Sequence, residues 1–401
     1  MTDAAPCDLP ILIAGGGIGG LAAALALARK GFSVSVFEKR AEATEEGAGI
    51  QIGPNGSRIL IELGVADHLR HLMAVPQAIR IMDGVTGRML TRLPLGRDIA
   101  ERHGAPYWVL HRADLHGALR ASVAGKTRIR VVPGAEVEDA QSHAHGVTLR
   151  FTDGTEAQGA ALIGADGLWS AIRTNVFKAP ALSFTGKCAL RAIVPSERLP
   201  APLTAIDTTI WLRPAAHVVH YPVRGGQEVA LVAIFDDKSL GETWAGAVDL
   251  ASIAHRTSTF PDPLRTLLAV PTVWRQCSLY KLSGETPWVQ DRIALLGDAA
   301  HPPLPFLAQG GVMALEDAAV LSNVLVGASG CEIPARLAEY ERRRRPRTTR
   351  VIEASGRNGQ IYHLDGLMRT ARNTVLQMAP PARLMASYDW LYGWRMEDAA
   401  L

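Results

Sequence analysis

Two short stretches of this chain carry residue types at spacings that chemistry can use. Gly15, Gly17 and Gly20 stand in the order G-x-G-x-x-G, directly after the apolar run 11–14 and before an alanine- and leucine-rich segment, 21–30. A turn of this kind between strand and helix offers a pyrophosphate free backbone N–H groups and the positive end of a helix dipole. The first glycine makes the turn, the second lets phosphate approach the backbone, and the third lets helix and strand pack closely. Gly31 ends the helix, and the next apolar stretch, 33–38, closes on Glu38, placed to bind an adenosine ribose. FAD and NAD fit this motif equally, because both present the same adenosine diphosphate. The second stretch is His217-Val218-Val219-His220-Tyr221-Pro222. On a strand, His217, Val219 and Tyr221 share one face while Val218 and His220 share the other. An imidazole and a phenol on one surface can remove a proton from a bound molecule and orient it. Amphipathic aromatics packed in an ordinary core would give the same pattern.

Other segments must position these groups. The run 161–164 ends in Asp166-Gly167, followed by Ser170 and Arg173, and the run 292–296 ends in Gly297-Asp298. After the latter come Gln309-Gly310-Gly311 and a helical stretch through Glu316-Asp317. In this order and at this separation, the three motifs resemble the single-component flavoprotein aromatic hydroxylases of the p-hydroxybenzoate hydroxylase type. The resemblance implies an α/β fold: a Rossmann-like, doubly wound FAD-binding domain with an inserted mixed β-sheet substrate domain and C-terminal helices. It implies FAD held by Gly15, Gly17, Gly20, Glu38 and Lys39, with Asp298 at the ribityl or ribose region and Gln309, Gly310 and Gly311 facing the flavin. Asp166 would serve both FAD and the nicotinamide cofactor. Arg112, in His111-Arg112-Ala113-Asp114, matches an arginine directed at the FAD, and the turn 47–55, with Gly49 and Gln51, one near the isoalloxazine. Alone, each acid reads equally well as a helix cap or a surface charge. There is no second G-x-G-x-x-G, which fits a family that binds NADH or NADPH transiently.

The run 217–226 looks like the segment of 3-hydroxybenzoate 6-hydroxylases that carries a substrate-contacting histidine and tyrosine, and 363–366, 371–373 and 388–393 extend the likeness. That resemblance implies hydride transfer from NAD(P)H to FAD, then hydroxylation of a small phenolic acid by a flavin C4a-hydroperoxide, to gentisate. His217 would be the base or proton relay and Tyr221 would orient the phenol. Pro305-Phe306 departs from the pattern, which has glutamine and tyrosine there; salicylate-hydroxylase-like members often show an apolar stretch at this place. Hydroxypyridine and hydroxynicotinate monooxygenases, and a flavin reductase that performs no oxygenation, are the other readings. The expected boundaries are 1–75, 106–180 and 285–345 for the FAD domain, 76–105 and 181–284 for the substrate sheet, and 346–401 for C-terminal helices.

Composition excludes some classes. With 42 basic and 39 acidic residues the charge is too even to predict a nucleic-acid partner. The apolar stretch 9–28 is long enough for a membrane span, but its glycines break it into strand, turn and helix, so no membrane association is expected. Cys7, Cys188, Cys277 and Cys331 lack C-x-x-C spacing and read as buried, reduced thiols with no metal site, consistent with a cytoplasmic setting. Arg342 to Arg345 reads as a solvated helix end broken at Pro346, possible homodimer contact included; the helical region beyond it either dimerises or roofs the site.

Overall fold

A computed structural model describes residues 9–42, 48–200, 203–204, 206–236 and 246–400. Ile11–Ala14 is buried at every position, as a strand covered on both faces must be. It lies within a six-stranded sheet of order Val289–Gln290, Ile293–Leu295, Ala161–Gly164, Ile11–Ala14, Val34–Glu38, Ile129–Pro133. All neighbours are parallel except at the Val289–Gln290 edge. The helix Ile18–Arg29 carries the chain from Ile11–Ala14 back to Val34–Glu38, so the long apolar stretch folds upon itself. Among the described residues no helix is long and apolar enough to cross a membrane. Helices Ile18–Arg29 and Gly310–Leu325 pack together against this sheet. A three-stranded antiparallel sheet, Val137–His143, Gly146–Phe151 and Glu156–Gly159, also packs on it, with the Phe37 and Phe151 rings 4.8 Å apart. Three adjacent parallel strands therefore deliver the Gly15, Asp166 and Asp298 loops to the carboxyl end of the sheet, where α/β folds bind ligands.

The second sheet has eight strands, in the order Gly246–Ala247, Arg275–Lys281, Ser183–Pro195, Glu228–Asp236, Ala216–Val223, Thr208–Arg213, Ala78–Asp83, Met89–Pro94. One face is closed by helices Leu250–Thr257 and Asp262–Ala269, through a core that includes Leu190, Val218, Leu231, Leu264 and Trp274. The opposite face carries His217, Val219 and Tyr221, and it meets the FAD-binding part and the C-terminal helices.

Two expectations are corrected here. Helix Ile333–Tyr362 runs unbroken through Pro346, so no helix end falls there. Proline inside a helix costs about 3 kcal/mol. A buried stripe of Leu337, Tyr340, Arg344, Thr348, Val351, Ser355 and Gly359 offsets that cost and holds the helix straight through. The cysteines differ too: Cys188 is buried, Cys277 half-buried, and Cys331 exposed in the polar turn before this helix, 3.2 Å from Ser329 Oγ. Cys7, and Gly47 of the flavin turn, lie outside the described residues.

Candidate active site

At the nucleotide end, each glycine of the first motif has a distinct reason. Gly15 has φ +104°, and a Cβ there would lie 2.4 Å from the Ala165 carbonyl oxygen. A Cβ at Gly20 would lie 2.0 Å from the Gly15 carbonyl oxygen, whereas at Gly17 it would meet nothing within 4 Å. Packing thus dictates the first and third, and the second borders open space. Helix Ile18–Arg29 has no side-chain cap and no acid in its first turn, leaving its N–H groups and positive dipole end for an anion. Glu38 accepts hydrogen bonds from the Gly16 N–H (2.8 Å) and the Arg40 N–H (3.0 Å), which fixes its carboxylate at the strand end. Lys39 is exposed beside it.

Farther along the cleft, Asp166 Oδ2 accepts from the Ile172 N–H at 3.1 Å, so the acid holds the start of helix Ala171–Asn175. Burial raises its carboxyl pKa, and its Oδ1 is buried without a partner among the described residues. Arg173 is buried and donates to the carbonyls of Leu168 and Ala299, tying the Asp166 loop to the Asp298 loop. Asp298 is exposed, yet desolvation by the surrounding protein raises its carboxyl pKa against the pull of Arg112, His301 and Arg173. The carboxyl thus opens to solvent from among crowded neighbours. Arg112, exposed at the first position of helix Arg112–Val123, faces the same cleft. The start of helix Gly310–Leu325 is again uncapped and without an acid, and a Cβ at Gly311 would strike Ile50 at 2.8 Å.

Beneath this floor lies a buried charge network that sequence reading missed. Arg344 donates to Glu316 and Asp317, each at 2.7 Å, with all three side chains fully buried. Arg347 adds a 2.9 Å bond to Glu316, and Asn55 Nδ2 bridges Glu316 (2.7 Å) to Gln309 (3.0 Å). Asp317 in turn accepts from His301 (2.6 Å) and from the Gly297 N–H (2.9 Å). Burial alone would raise the Asp317 carboxyl, but His301 and Arg344 outweigh it and hold it at about 2. Arg344 therefore departs from the solvated reading of the run and braces the flavin-side loops from below, while at the surface Arg342 and Arg343 pair with Glu339 and Arg345 with Glu341. The buried helical stripe through Arg344 was the available signal.

On the opposing sheet, His217 and Tyr221 share a face as the strand period requires, and His220 turns away to stack on Trp211. The two do not occupy one spot. His217 is 2% exposed and sits among Phe306, Tyr362 and His363, with ring centroids 5.4, 5.2 and 5.1 Å away. Its Nδ1 lies 2.8 Å from His363 Nε2. Burial, then the charges of His363 and Lys187, push its pKa well below the usual value, so it is neutral near pH 7. Tyr221 lies four residues on, against Gly49, where a Cβ would come 2.4 Å from its hydroxyl. It hydrogen-bonds Gln51, which also accepts from the Tyr107 hydroxyl at 2.7 Å. Burial raises the pKa of both tyrosines. Between them Val219 and Val232 form an apolar floor, bordered by Arg191, whose charge acts on Tyr221. The half-buried Arg191 side chain has no hydrogen bond or ion pair among the described residues, and it was not singled out in the sequence.

Residues 8–355 match the family model described as an FAD binding domain. The chain is 36% identical to a 3-hydroxybenzoate 6-hydroxylase of Polaromonas naphthalenivorans strain CJ2, over 98% of this chain and 97% of that one. Among solved structures, Klebsiella pneumoniae HpxO complexed with FAD and uric acid superposes with a TM-score of 0.84 at 26% identity, covering 96% of this chain and 97% of that one. A salicylate hydroxylase substrate complex gives 0.82 at 25%, covering 98% of both. The chain belongs to the FAD-binding-domain family. Within it, this is a flavin-dependent aromatic monooxygenase with FAD as its cofactor. The open space at Gly17, the two uncapped helix starts and the exposed Asp298 suit a dinucleotide laid along the carboxyl ends of these strands.

Proposed function

We propose that this enzyme hydroxylates 3-hydroxybenzoate para to its phenol to give gentisate, using NADH or NADPH and O2. The observation that carries the reading is His217, a neutral imidazole with Nδ1 committed to His363, in a chain 36% identical to a relative named for this reaction. FAD, when bound, would supply the reduction of O2 and the transfer of one oxygen atom. Gly15, Gly17, Gly20, Glu38 and Lys39 would hold its adenosine end, and Arg112, Asp298 and the Gly310 helix start its flavin end. His217 Nε2 takes the phenol proton, because a phenolate is the more electron-rich ring at the carbon to be attacked. Tyr221, held by Gln51, orients the ring over Val219 and Val232. Arg191 meets the substrate carboxylate: a guanidinium without an ion pair among the described residues, beside an apolar floor, binds an aromatic acid and rejects the neutral phenol. It lies two strands and two residues from His217, about 12 Å between Cα atoms by strand spacing, a span that a meta-hydroxybenzoate bridges with both side chains extended. Phe306 and Tyr362 wall the proton-transfer point from water.

Salicylate is the second reading, favoured by Phe306, which places a ring against His217 where the resembling enzymes have a polar side chain. The test is a panel of hydroxybenzoates and hydroxypyridines given to the FAD-loaded enzyme, with oxidation of NADH and NADPH, O2 uptake and products measured together. Gentisate from 3-hydroxybenzoate in step with O2 uptake is expected. Turnover of salicylate with 3-hydroxybenzoate inert would replace the first reading by the second.

A further inference from the structure

We propose that His217, His363 and Asp236 form a proton relay that carries the substrate's phenol proton from the closed cavity to the protein surface. This rests on the reading of His217 as the base. His217 Nδ1 is 2.8 Å from His363 Nε2, and His363 Nδ1 is 2.9 Å from Asp236 Oδ1, within ion-pair distance but off the line of a hydrogen bond, which a small turn of the ring would complete. Asp236 is also bound by Lys187 Nζ. Side-chain exposure rises along the line, from a buried His217 through His363 at 5% to Asp236 at 35%. The chain of contacts leads from the substrate floor to water.

The tautomers follow from the outer end inward. Burial would raise the Asp236 carboxyl, but hydrogen bonds from Lys187 and His363 outweigh it, so the group is ionised and only accepts. A ring nitrogen 2.9 Å from a carboxylate oxygen is favoured as N–H by the charge it faces, because its lone pair would be repelled there, and this puts the proton of His363 on Nδ1. Its Nε2 then accepts, so His217 donates from Nδ1 and keeps the lone pair on Nε2. A phenol binding there finds the acceptor nitrogen already selected.

A single buried histidine would be a poor base, because desolvation opposes the imidazolium it would become. The relay removes that obstacle. The phenol O–H bond breaks as His217 Nε2 gains a proton. His217 Nδ1 gives its proton to His363 Nε2, and His363 Nδ1, after a small turn of the ring, gives its own to the Asp236 carboxylate, which passes it to the water it faces. When the product's oxygen takes a proton back, the same transfers run in reverse and restore both tautomers. The charged and titratable groups facing the pair are Lys187 from strand Ser183–Pro195, Tyr362 at the end of helix Ile333–Tyr362, Asp236, and Arg372 from helix Gly366–Met378. Arg372 positions the outer histidine, donating to the carbonyls of Ile361 and Tyr362 at 2.9 Å each. The turn at Ala215, with φ +54°, ties His363 to Asp236 through bonds of 3.4 and 2.8 Å.

The probe is 3-hydroxy-4-nitrobenzoate, whose phenol changes colour on ionisation, mixed with FAD-loaded enzyme across pH in a stopped-flow instrument. His363→Gln keeps volume and hydrogen bonding but has no titratable nitrogen. It is expected to bind the probe while slowing phenolate appearance at least tenfold and moving the bound probe's ionisation to higher pH. Asp236→Asn, near the surface, should shift both in the same direction by less. If both variants match wild type while His217→Gln abolishes ionisation, the relay is overturned and the base stands. If His217→Gln also ionises the probe normally, base and relay fall together. Unchanged flavin absorption in each variant establishes that the fold is intact.

Discussion

Arg342 and Arg344 are chemically identical residues two positions apart, and the structure assigns them very different energies. Replacing Arg344 by methionine leaves the carboxylates of Glu316 and Asp317 buried with Arg347, Asn55, His301 and the Gly297 N–H for partners, and with one full positive charge fewer. Breaking a buried pair from one side costs about 3–5 kcal/mol, because the surviving charge has lost its compensation. Arg342 pairs with Glu339 on the surface, its side chain 67% exposed, and such helix pairs contribute about 0.3–0.5 kcal/mol. An unfolding entropy of about 2.1 cal/mol/K per residue gives roughly 0.8 kcal/mol/K for the whole chain if it melts as one unit. Arg344→Met should then lower Tm by roughly 4–6 °C, and Arg342→Met by under about 1 °C. Thermal melts followed by circular dichroism, both variants saturated with FAD to equalise ligand stabilisation, measure the difference. Equal melting temperatures would refute the claim that the basic run braces the site from within.

Gly17→Ala should fold like wild type and lose FAD affinity by tenfold or more, since its Cβ enters the open side; Gly15→Ala, with φ +104° and a carbonyl at 2.4 Å, should be destabilised even without FAD. Flavin-release titration and apoprotein melts separate the two. Arg191→Met should raise KM for a hydroxybenzoate by about 10- to 100-fold, the worth of a charged hydrogen bond, and leave KM for the corresponding uncharged phenol unchanged. His220 is buried with its pKa pushed down to about 3 by desolvation and then Arg80. The unfolded chain therefore takes up the proton first, so stability is full above about pH 6.5 and falls by about 1.4 kcal/mol per pH unit below it, until about pH 3. His220→Gln should remove about 2 kcal/mol of the stability difference between pH 7 and pH 5 in urea titrations.

The parts of the site built from local periodicity were readable in the chain. Three glycines between an apolar strand and helix, and alternate residues on 216–223, depend only on neighbours in sequence. His363, by contrast, stands 146 residues from His217, and nothing in the segment around it announces that its ring completes a buried pair. Arg344 was hidden differently. A run of arginines followed by proline reads as surface and helix end, yet its place in the stripe with Tyr340, Thr348 and Val351 gave it a buried position. Arg191 was obscured because its neighbours in space, Val232 and Tyr221, come from other strands.

The most direct test of the central claim is to supply 3-hydroxybenzoate, NADH or NADPH and isotopically labelled O2 to the FAD-loaded enzyme, and weigh the product. Gentisate carrying one labelled oxygen atom, formed in step with nicotinamide oxidation, is the predicted result. Nicotinamide oxidised with only peroxide released, or a product without label, would contradict it.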